Sequence, residues 1–234
     1  MRVQLLRHGE SLSNADPDRI AIPESEGDAL SERGVLQARA AAEAVAGLGI
    51  RRIVSSPMGR ARQTAAAVSE RLGIEPEIWE WLRELREPSG YPDLPRIEQE
   101  RQRWSNRMSR HEDPEHRVGD GESFGDLLRR VERTREQLAA DAVDGTLLVG
   151  HGIFFRFMFA RTLLRKEFAP RHAGWLWRIG SLNCGLSTFD HVTGSGSEDP
   201  AESILLKLIE TVKAYAGQAA PADDITVVVV KRCE

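Results

Sequence analysis

The chain has 234 residues, of which 41% are hydrophobic and 29% are charged, and its formal net charge is -4. That length suits one α/β domain with a small appendage, and the charged fraction favours a soluble protein. The near balance of 32 basic and 36 acidic residues gives no overall attraction to nucleic acid or to an anionic membrane. An anion site must therefore come from a local cluster of arginines.

Neither a secretory signal nor a membrane span is expected. Met1 and Arg2 run directly into an apolar stretch that is too short for a signal core. No apolar run approaches the roughly 18 residues that a membrane span needs. Cys184 and Cys233 lack metal-ligand spacing and are too few for a disulfide framework. The expected location is therefore the reducing cytoplasm.

Strand-like and helical patterns alternate along the chain, which favours an α/β sheet layered with helices. Short β-prone runs occur at residues 3–6, 51–56 and 145–151. Helices are predicted near residues 31–48, 59–72, 123–140 and 153–164. Ser31 is the expected N-cap of the first helix, Gly73 is expected to end the second, and Ser123 with Asp126 resembles a capping box.

Two parts of the chain are less regular. Residues 87–121 contain four prolines around a charged, helical piece, and an insertion of this kind is where a substrate-selecting subdomain would lie. Residues 193–197 (TGSGS) have the composition of a linker. We therefore predict a main domain over residues 1–192 and a helix–strand appendage over residues 193–234, with its strand from Val227.

The first motif with chemical meaning is RHGE at residues 7–10, directly after the first predicted strand. A side chain beyond the carboxyl end of a strand, in a turn freed by Gly9, points into the crevice where α/β folds bind ligands. The imidazole of His8 can attack phosphorus there if a neighbouring arginine neutralises the phosphate. The alternative is a surface histidine in a loop. A chain of this length contains this tetrapeptide by chance about one time in a thousand, so the motif favours the chemical interpretation without deciding the matter alone.

Two further motifs also follow predicted strands. SSPMGRARQT at residues 55–64 opens a helix, where backbone N–H groups favour an anion. Arg60 would add a charge-assisted phosphate contact, whereas Arg62 is interpreted as a solvated helix residue. In VGHG at residues 149–152, His151 would hydrogen-bond a phosphate oxygen. A lone histidine after a buried strand is more often a core residue, so this interpretation depends on the first motif.

The fourth motif is LRE at residues 82–84. A single acidic residue in a loop is usually solvated. A leaving alkoxide needs a proton, however, and the chain offers no other obvious donor, so Glu84 is a candidate general acid.

In this order, RHGES, SSPMGRARQTA, LRE and VGHG resemble the motifs of the histidine phosphatase superfamily, which includes the cofactor-dependent phosphoglycerate mutases. The resemblance covers roughly residues 1–190, and the order of the motifs is more specific than any one of them. It implies a phosphoglycerate mutase-like, three-layer αβα sandwich with a mostly parallel central sheet. It also implies a phosphohistidine intermediate on His8, with no metal and no cofactor.

The resemblance assigns roles to single residues. Glu84 takes the place of the proton donor that later activates water, and Gly152 would bring its backbone N–H to the phosphate. The other implied phosphate contacts come from Arg7, Asn14, Arg60 and His151. Residues 86–91 (REPSGY) depart from the Gly- and Trp-containing segment of many members. Glu122, in a GES segment near the site, therefore remains a lesser candidate for the proton donor.

The end of the chain, from Ile204 onward, resembles the last helix and strand of bacterial metal-dependent serine phosphatases that control sigma-factor partners. In that family an aspartate ligates Mn²⁺ or Mg²⁺, and Asp223 is its best match here. One carboxylate cannot hold a hard divalent ion that needs about six oxygens. The appendage is therefore interpreted as a structural relic or docking piece, without a metal.

These patterns predict a phosphatase that hydrolyses a phosphorylated small molecule or a phosphoprotein, with neither nucleic acid nor membrane as a partner. Two alternatives stay open. One is an isomerase of the phosphoglycerate mutase type that uses the same phosphohistidine. The other is a non-catalytic regulatory module that docks a partner through the appendage. A homodimer is an alternative to a monomer, because the valine-rich last strand could pair between chains.

Overall fold

A computed structural model describes residues 1–15, 28–88, 113–164, 181–192 and 227–233, together with positions 98, 101, 102, 105, 168 and 176. The strands are β1 (Arg2–Arg7), β2 (Arg52–Ser55), β3 (Pro76–Ile78), β4 (Thr146–Gly150), β5 (Leu186–Val192) and β6 (Val227–Cys233). The helices are α1 (Leu12–Ala15), α2 (Glu32–Val45), α3 (Gly59–Leu72), α4 (Phe124–Asp141) and α5 (Gly152–Leu164), with a 3-10 turn over Glu80–Leu82.

The described strands form one sheet in the order β3-β2-β4-β1-β5-β6. The neighbours from β3 to β1 are parallel, whereas β5 is antiparallel to β1 and β6 is parallel to β5. The predicted mostly parallel α/β sheet is thereby confirmed. Because β1, β4 and β2 are parallel neighbours, their carboxyl ends lie side by side, where ligands bind in such sheets.

Helices cover both faces of the sheet, as a three-layer sandwich requires. On one face, Leu5 and Leu148 pack with the phenylalanines of α5 and with α4. On the other, Leu6 and Leu147 pack against the alanines of α2 and α3. Successive residues of a strand point to opposite faces, so each central strand supplies both cores.

The helix ends follow the sequence prediction. The Ser31 hydroxyl accepts the Gly34 N–H at 3.0 Å, and Gly73 ends α3 in the left-handed conformation with φ 71°. Ser123 and Asp126 form the reciprocal capping box of α4, with both hydrogen bonds at 3.0 Å. These local hydrogen bonds explain why the boundaries were predictable.

Other parts of the prediction remain open. The strand β6 pairs with β5 and so extends the main sheet. Most of residues 87–121, the linker and Asp223 lie outside the described residues, so the division at residue 193 stays a prediction. Among the described helices, none combines the length and apolar character needed to cross a membrane.

Candidate active site

The carboxyl ends of β1, β2 and β4 bring three of the sequence motifs together in one buried cluster of side chains, which we call the pocket. The ring centroids of His8 and His151 lie 5.2 Å apart. Arg60 lies between them, since its Nε donates to Nε2 of His8 at 3.1 Å and its Nη2 contacts Nδ1 of His151 at 3.3 Å. All three side chains are buried, whereas Arg62 is exposed, as predicted.

The backbone fixes the orientation of the His8 imidazole. Its Nδ1 lies 2.7 Å from the Gly9 carbonyl oxygen, so Nδ1 donates and Nε2 carries the lone pair. The Gly9 N–H donates to Thr64 Oγ1 at 3.1 Å. A Cβ on Gly9 would lie 2.5 Å from the Gly34 carbonyl oxygen, so glycine is needed for this close approach of α2. The lone pair of His8 Nε2 therefore faces Arg60.

The orientation of His151 is fixed by Ser56, which sequence reasoning did not single out. A guanidinium can only donate, so Nδ1 of His151 accepts from Arg60. The other ring nitrogen, Nε2, then donates to Ser56 Oγ at 2.8 Å. The pocket thus holds two imidazoles whose inward-facing nitrogens both accept from one arginine.

Arg7, Gly152 and Asn14 lie around the same pocket. Arg7 donates through Nη1 to the Ser181 carbonyl, and its buried Nε has no hydrogen-bond acceptor among the described residues. A Cβ on Gly152 would lie 3.4 Å from that Nε, which places the start of α5 beside Arg7. The Asn183 amide donates to Asn14 Oδ1 at 3.1 Å and to the His8 carbonyl at 3.2 Å. Arg7 and Gly152 therefore lie beside each other at the pocket, and the exposed Asn14 is linked to the His8 backbone through Asn183.

Burial and positive charge dominate the electrostatics of the pocket. Burial lowers the pKa of both Arg7 and Arg60, and the Glu84 carboxylate opposes this effect in each case. Burial and the charge of Arg60 also hold the pKa of His8 and of His151 well below its ordinary value. Two buried cations, two neutral imidazoles and an Arg7 N–H with no acceptor in the described part of the chain favour a bound anion.

Asp28 is a pocket residue that the sequence did not reveal. Its Oδ2 lies 3.3 Å from Arg60 Nη1, and the two side chains are only 9% and 8% exposed. The Ser13 backbone N–H and hydroxyl donate to the same carboxylate at 3.1 and 2.6 Å. Asp28 therefore holds one end of the guanidinium while the other end contacts the histidines.

Glu84, the predicted proton donor, binds the first turn of α5. Its Oε2 accepts the Ile153 N–H at 3.0 Å, and its Oε1 accepts the N–H groups of Phe154 and Leu85, each at 3.0 Å. The N-terminus of a helix stabilises a negative charge. This contact ties the carboxylate to the helix that begins directly after His151.

Glu122, the lesser candidate, has a different set of contacts. Its two carboxylate oxygens accept from Nε and Nη2 of Arg130, each at 2.6 Å. The Arg86 N–H donates to Oε2 at 3.2 Å. These contacts are those of a bidentate ion pair, so they do not favour Glu122 as the proton donor.

The lowered pKa of the two pocket histidines gives a direct pH prediction. An ordinary histidine takes up a proton as the pH falls through about 6.5. A lowered pKa means that the neutral form persists to a more acidic pH, so His8 and His151 should remain neutral at about pH 6. An NMR titration of the imidazole nitrogens in the unliganded protein measures this.

The Arg60→Ala variant provides the control for that titration. Removal of the guanidinium charge should move both histidine pKa values upward, toward the ordinary value. If both histidines of the parent protein titrate near pH 6.5, the pocket is neither as dry nor as cationic as described.

Comparisons with known proteins agree with the fold and the motifs. A model of the histidine phosphatase superfamily (branch 1) matches residues 3–197. A probable phosphoglycerate mutase GpmB of Yersinia pestis is 32% identical over 195 residues, covering 82% of this chain and 85% of the relative. A mycobacterial glucosyl-3-phosphoglycerate phosphatase structure is similar with a TM-score of 0.64 and 27% identity, covering 80% and 88% of the two chains. A putative alpha-ribazole-5'-P phosphatase of Escherichia coli shares the fold, with a TM-score of 0.64 and 22% identity. The match covers 81% of this chain and 90% of that structure.

The fold and the family match define an enzyme that acts on phosphate esters. The chain belongs to branch 1 of the histidine phosphatase superfamily. The family predicted from the four motifs is thereby confirmed. The likeness of the appendage to metal-dependent serine phosphatases stays a prediction.

Proposed function

We propose that this enzyme is a phosphatase that hydrolyses a phosphate monoester through a phosphohistidine on His8. The observation that carries the proposal is the contact of Arg60 with the lone pair of His8 Nε2 in a buried, cationic pocket. A phosphate bound by this guanidinium would lie next to the nucleophilic nitrogen. The substrate is a phosphorylated small molecule or a phosphoprotein.

In the first step, the Nε2 lone pair of His8 attacks phosphorus, and the P–O bond to the leaving group breaks with its electron pair. Entry of the phosphate dianion adds negative charge beside Glu84, which favours uptake of a proton from solvent by its carboxylate. Glu84 then gives this proton to the departing oxygen, so the leaving group departs as an alcohol. Arg7 and Arg60 neutralise the phosphate oxygens, with further hydrogen bonds from Asn14 and the Gly152 N–H. This charge compensation is the part that Mg²⁺ plays in kinases, and the scheme requires no metal.

His151 changes its protonation state when the phosphate enters. When its Nδ1 accepts from Arg60, the neutral imidazole cannot donate from that nitrogen to an anion. An incoming negative charge favours protonation of the imidazole by solvent at Nδ1, which then donates to a phosphate oxygen while Nε2 keeps its bond to Ser56.

In the second step, water attacks the phosphorus of the phosphohistidine. The Glu84 carboxylate takes a proton from that water, and the N–P bond breaks with its electron pair returning to Nε2 of His8. Inorganic phosphate leaves, and Glu84 is protonated again for the next cycle. One carboxyl group thus serves as acid and then as base.

A second candidate function is phosphotransfer of the phosphoglycerate mutase type, which the name of the Yersinia relative favours. A mutase must keep the phosphoryl group and exclude water while its substrate reorients. The mycobacterial structure, named as a phosphatase, favours hydrolysis instead. A non-catalytic docking module is disfavoured, because such a protein has no need for the complete set of Arg7, His8, Arg60 and His151.

Hydrolysis of p-nitrophenyl phosphate tests the proposal. We expect hydrolysis that is unchanged by EDTA, since the scheme draws its positive charge from Arg7 and Arg60. In parallel, 3-phosphoglycerate should be isomerised more slowly than the aryl phosphate is hydrolysed. Loss of hydrolysis in EDTA would contradict the metal-independent scheme, and isomerisation without release of phosphate would favour the mutase.

A further inference from the structure

An ion pair between Arg130 on α4 and Glu122 lies outside the proposed chemistry but contacts the segment that carries Glu84. Arg130 Nη1 donates to the carbonyl oxygens of Trp81 and Arg83, each at 2.7 Å. Glu122 Oε2 accepts the Arg86 N–H at 3.2 Å. The pair therefore binds the backbone on both sides of Glu84.

The same arginine also contacts the helix that binds the Glu84 carboxylate. The Arg130 guanidinium carbon lies 5.2 Å from the ring centroid of Phe154, in a cation–π arrangement. The N–H of Phe154 is one of the donors to Glu84. Arg130 thus links the segment that carries Glu84 to the helix turn that receives its carboxylate.

Residues 83–88 belong to neither a helix nor a strand, so no regular backbone ladder fixes their position. The ion pair is well placed to do this, because its side chains are only 21% and 9% exposed and both of its charged hydrogen bonds are 2.6 Å long. A guanidinium can bind a carboxylate and two carbonyl groups at once, which a single ammonium cannot do in the same geometry.

We propose that Arg130 and Glu122 are positioning residues that hold Glu84 where it exchanges its proton with the leaving group. This inference rests on the proposed function of Glu84 as the general acid. A displacement of about 1 Å in a catalytic group can cost about a hundredfold in rate. Loosening the pair should therefore impair proton transfer while leaving phosphate binding at Arg7 and Arg60 in place.

The test compares two substrates that differ in their need for a proton. The p-nitrophenolate group leaves readily without one, whereas the more basic phenolate of phenyl phosphate depends on the general acid. In Arg130→Lys, which keeps the charge but loses the planar fork, kcat/KM for phenyl phosphate should fall about 10- to 100-fold. For p-nitrophenyl phosphate, kcat/KM should fall less than about threefold. It covers only the steps up to departure of the leaving group, and p-nitrophenolate departs without a proton.

Arg135→Lys is the matched control. Arg135 lies on the same helix and pairs with Glu132 at 2.9 Å, so its replacement should leave the ratio of the two substrates unchanged. If Arg130→Lys does not fold, Glu122→Gln carries the same comparison, because it weakens the pair from the other side.

A double-mutant cycle with Glu84→Gln decides the result. Glu84→Gln should show the same substrate selectivity, and adding Arg130→Lys to it should cause no further selective loss. The positioning role would be overturned if Arg130→Lys lowered kcat/KM equally for both substrates. It would also be overturned if Arg130→Lys lowered kcat/KM for phenyl phosphate selectively, and by the same factor, in the Glu84→Gln protein. If Glu84→Gln shows no selectivity, the proposed function of Glu84 fails, and the inference fails with it.

Discussion

Replacement of His8 by asparagine should abolish the hydrolysis of phosphate esters, with kcat/KM reduced at least about 10⁴-fold. Asparagine can still hydrogen-bond to the Gly9 carbonyl, as Nδ1 of His8 does at 2.7 Å. It has no nitrogen lone pair that can attack phosphorus. The loss should therefore appear without loss of the fold, and release of inorganic phosphate together with thermal unfolding measures both.

His116→Asn is the matched control for that variant. His116 is exposed and makes its backbone hydrogen bond to Asp113, outside the pocket. The same substitution there should leave kcat/KM for the generic substrate p-nitrophenyl phosphate unchanged. A His8→Asn protein that retained more than about a tenth of the parent activity would place the nucleophile on another residue.

Replacement of Arg60 by alanine should produce the second large effect, a fall in kcat/KM of about 10²- to 10³-fold. This guanidinium contacts both histidines, so its removal takes away the phosphate contact nearest to the nucleophile. Removal also leaves Asp28 buried without its charge partner. Breaking a buried pair in this way costs about 3–5 kcal/mol of stability.

Two further variants separate the catalytic effect of Arg60 from its effect on stability. Arg62→Ala, two positions along α3 at an exposed site, should change neither kcat/KM nor the free energy of unfolding. Asp28→Asn added to Arg60→Ala removes the unpaired charge, so it should recover stability without activity. If Arg60→Ala hydrolysed phosphate esters within about threefold of the parent rate, the phosphate would have to bind elsewhere.

The parts of the molecule that the sequence predicted are those with local or periodic signals. Ser31, Gly73 and Ser123 mark helix ends through hydrogen bonds and dihedral angles that involve only nearby residues. His8 and His151 were predictable as neighbours because each follows a strand, and the carboxyl ends of parallel strands lie together. Parallel pairing of β1, β4 and β2 was therefore enough to place the motifs that follow these strands side by side.

The missed residues make their contacts across long stretches of chain. Asp28 pairs with Arg60, 32 positions later, and Asn183 binds the carbonyl of His8 across 175 positions. Neither has a spacing or composition that distinguishes it from an ordinary surface residue. The GES segment made Glu122 a candidate, but the sequence did not reveal its ion pair with Arg130. The two residues are eight positions apart, which is beyond the reach of i,i+4 helix pairing.

Two strands were also missed, for different physical reasons. The strand β3 has three residues and a largely exposed surface, so it shows no alternating hydrophobic pattern. The strand β5 is antiparallel to β1, so its place in the sheet depends on pairing and not on a crossover helix. The strand β3 is too short for an alternating pattern, and the apolar residues of the seven-residue strand β5 are spaced three apart and not two (Leu186, Phe189 and Val192).

Capture of the covalent intermediate tests the central claim most directly. With p-nitrophenyl phosphate, Glu84→Gln should form the phosphohistidine readily but lack the base that activates water, so the intermediate should accumulate. An alkaline quench and peptide mass spectrometry then locate the phosphoryl group. Our account predicts phosphate on His8, absent when His8 is also replaced by asparagine. A phosphoryl group on another residue, or a burst of p-nitrophenolate with no phosphorylated peptide, would contradict it.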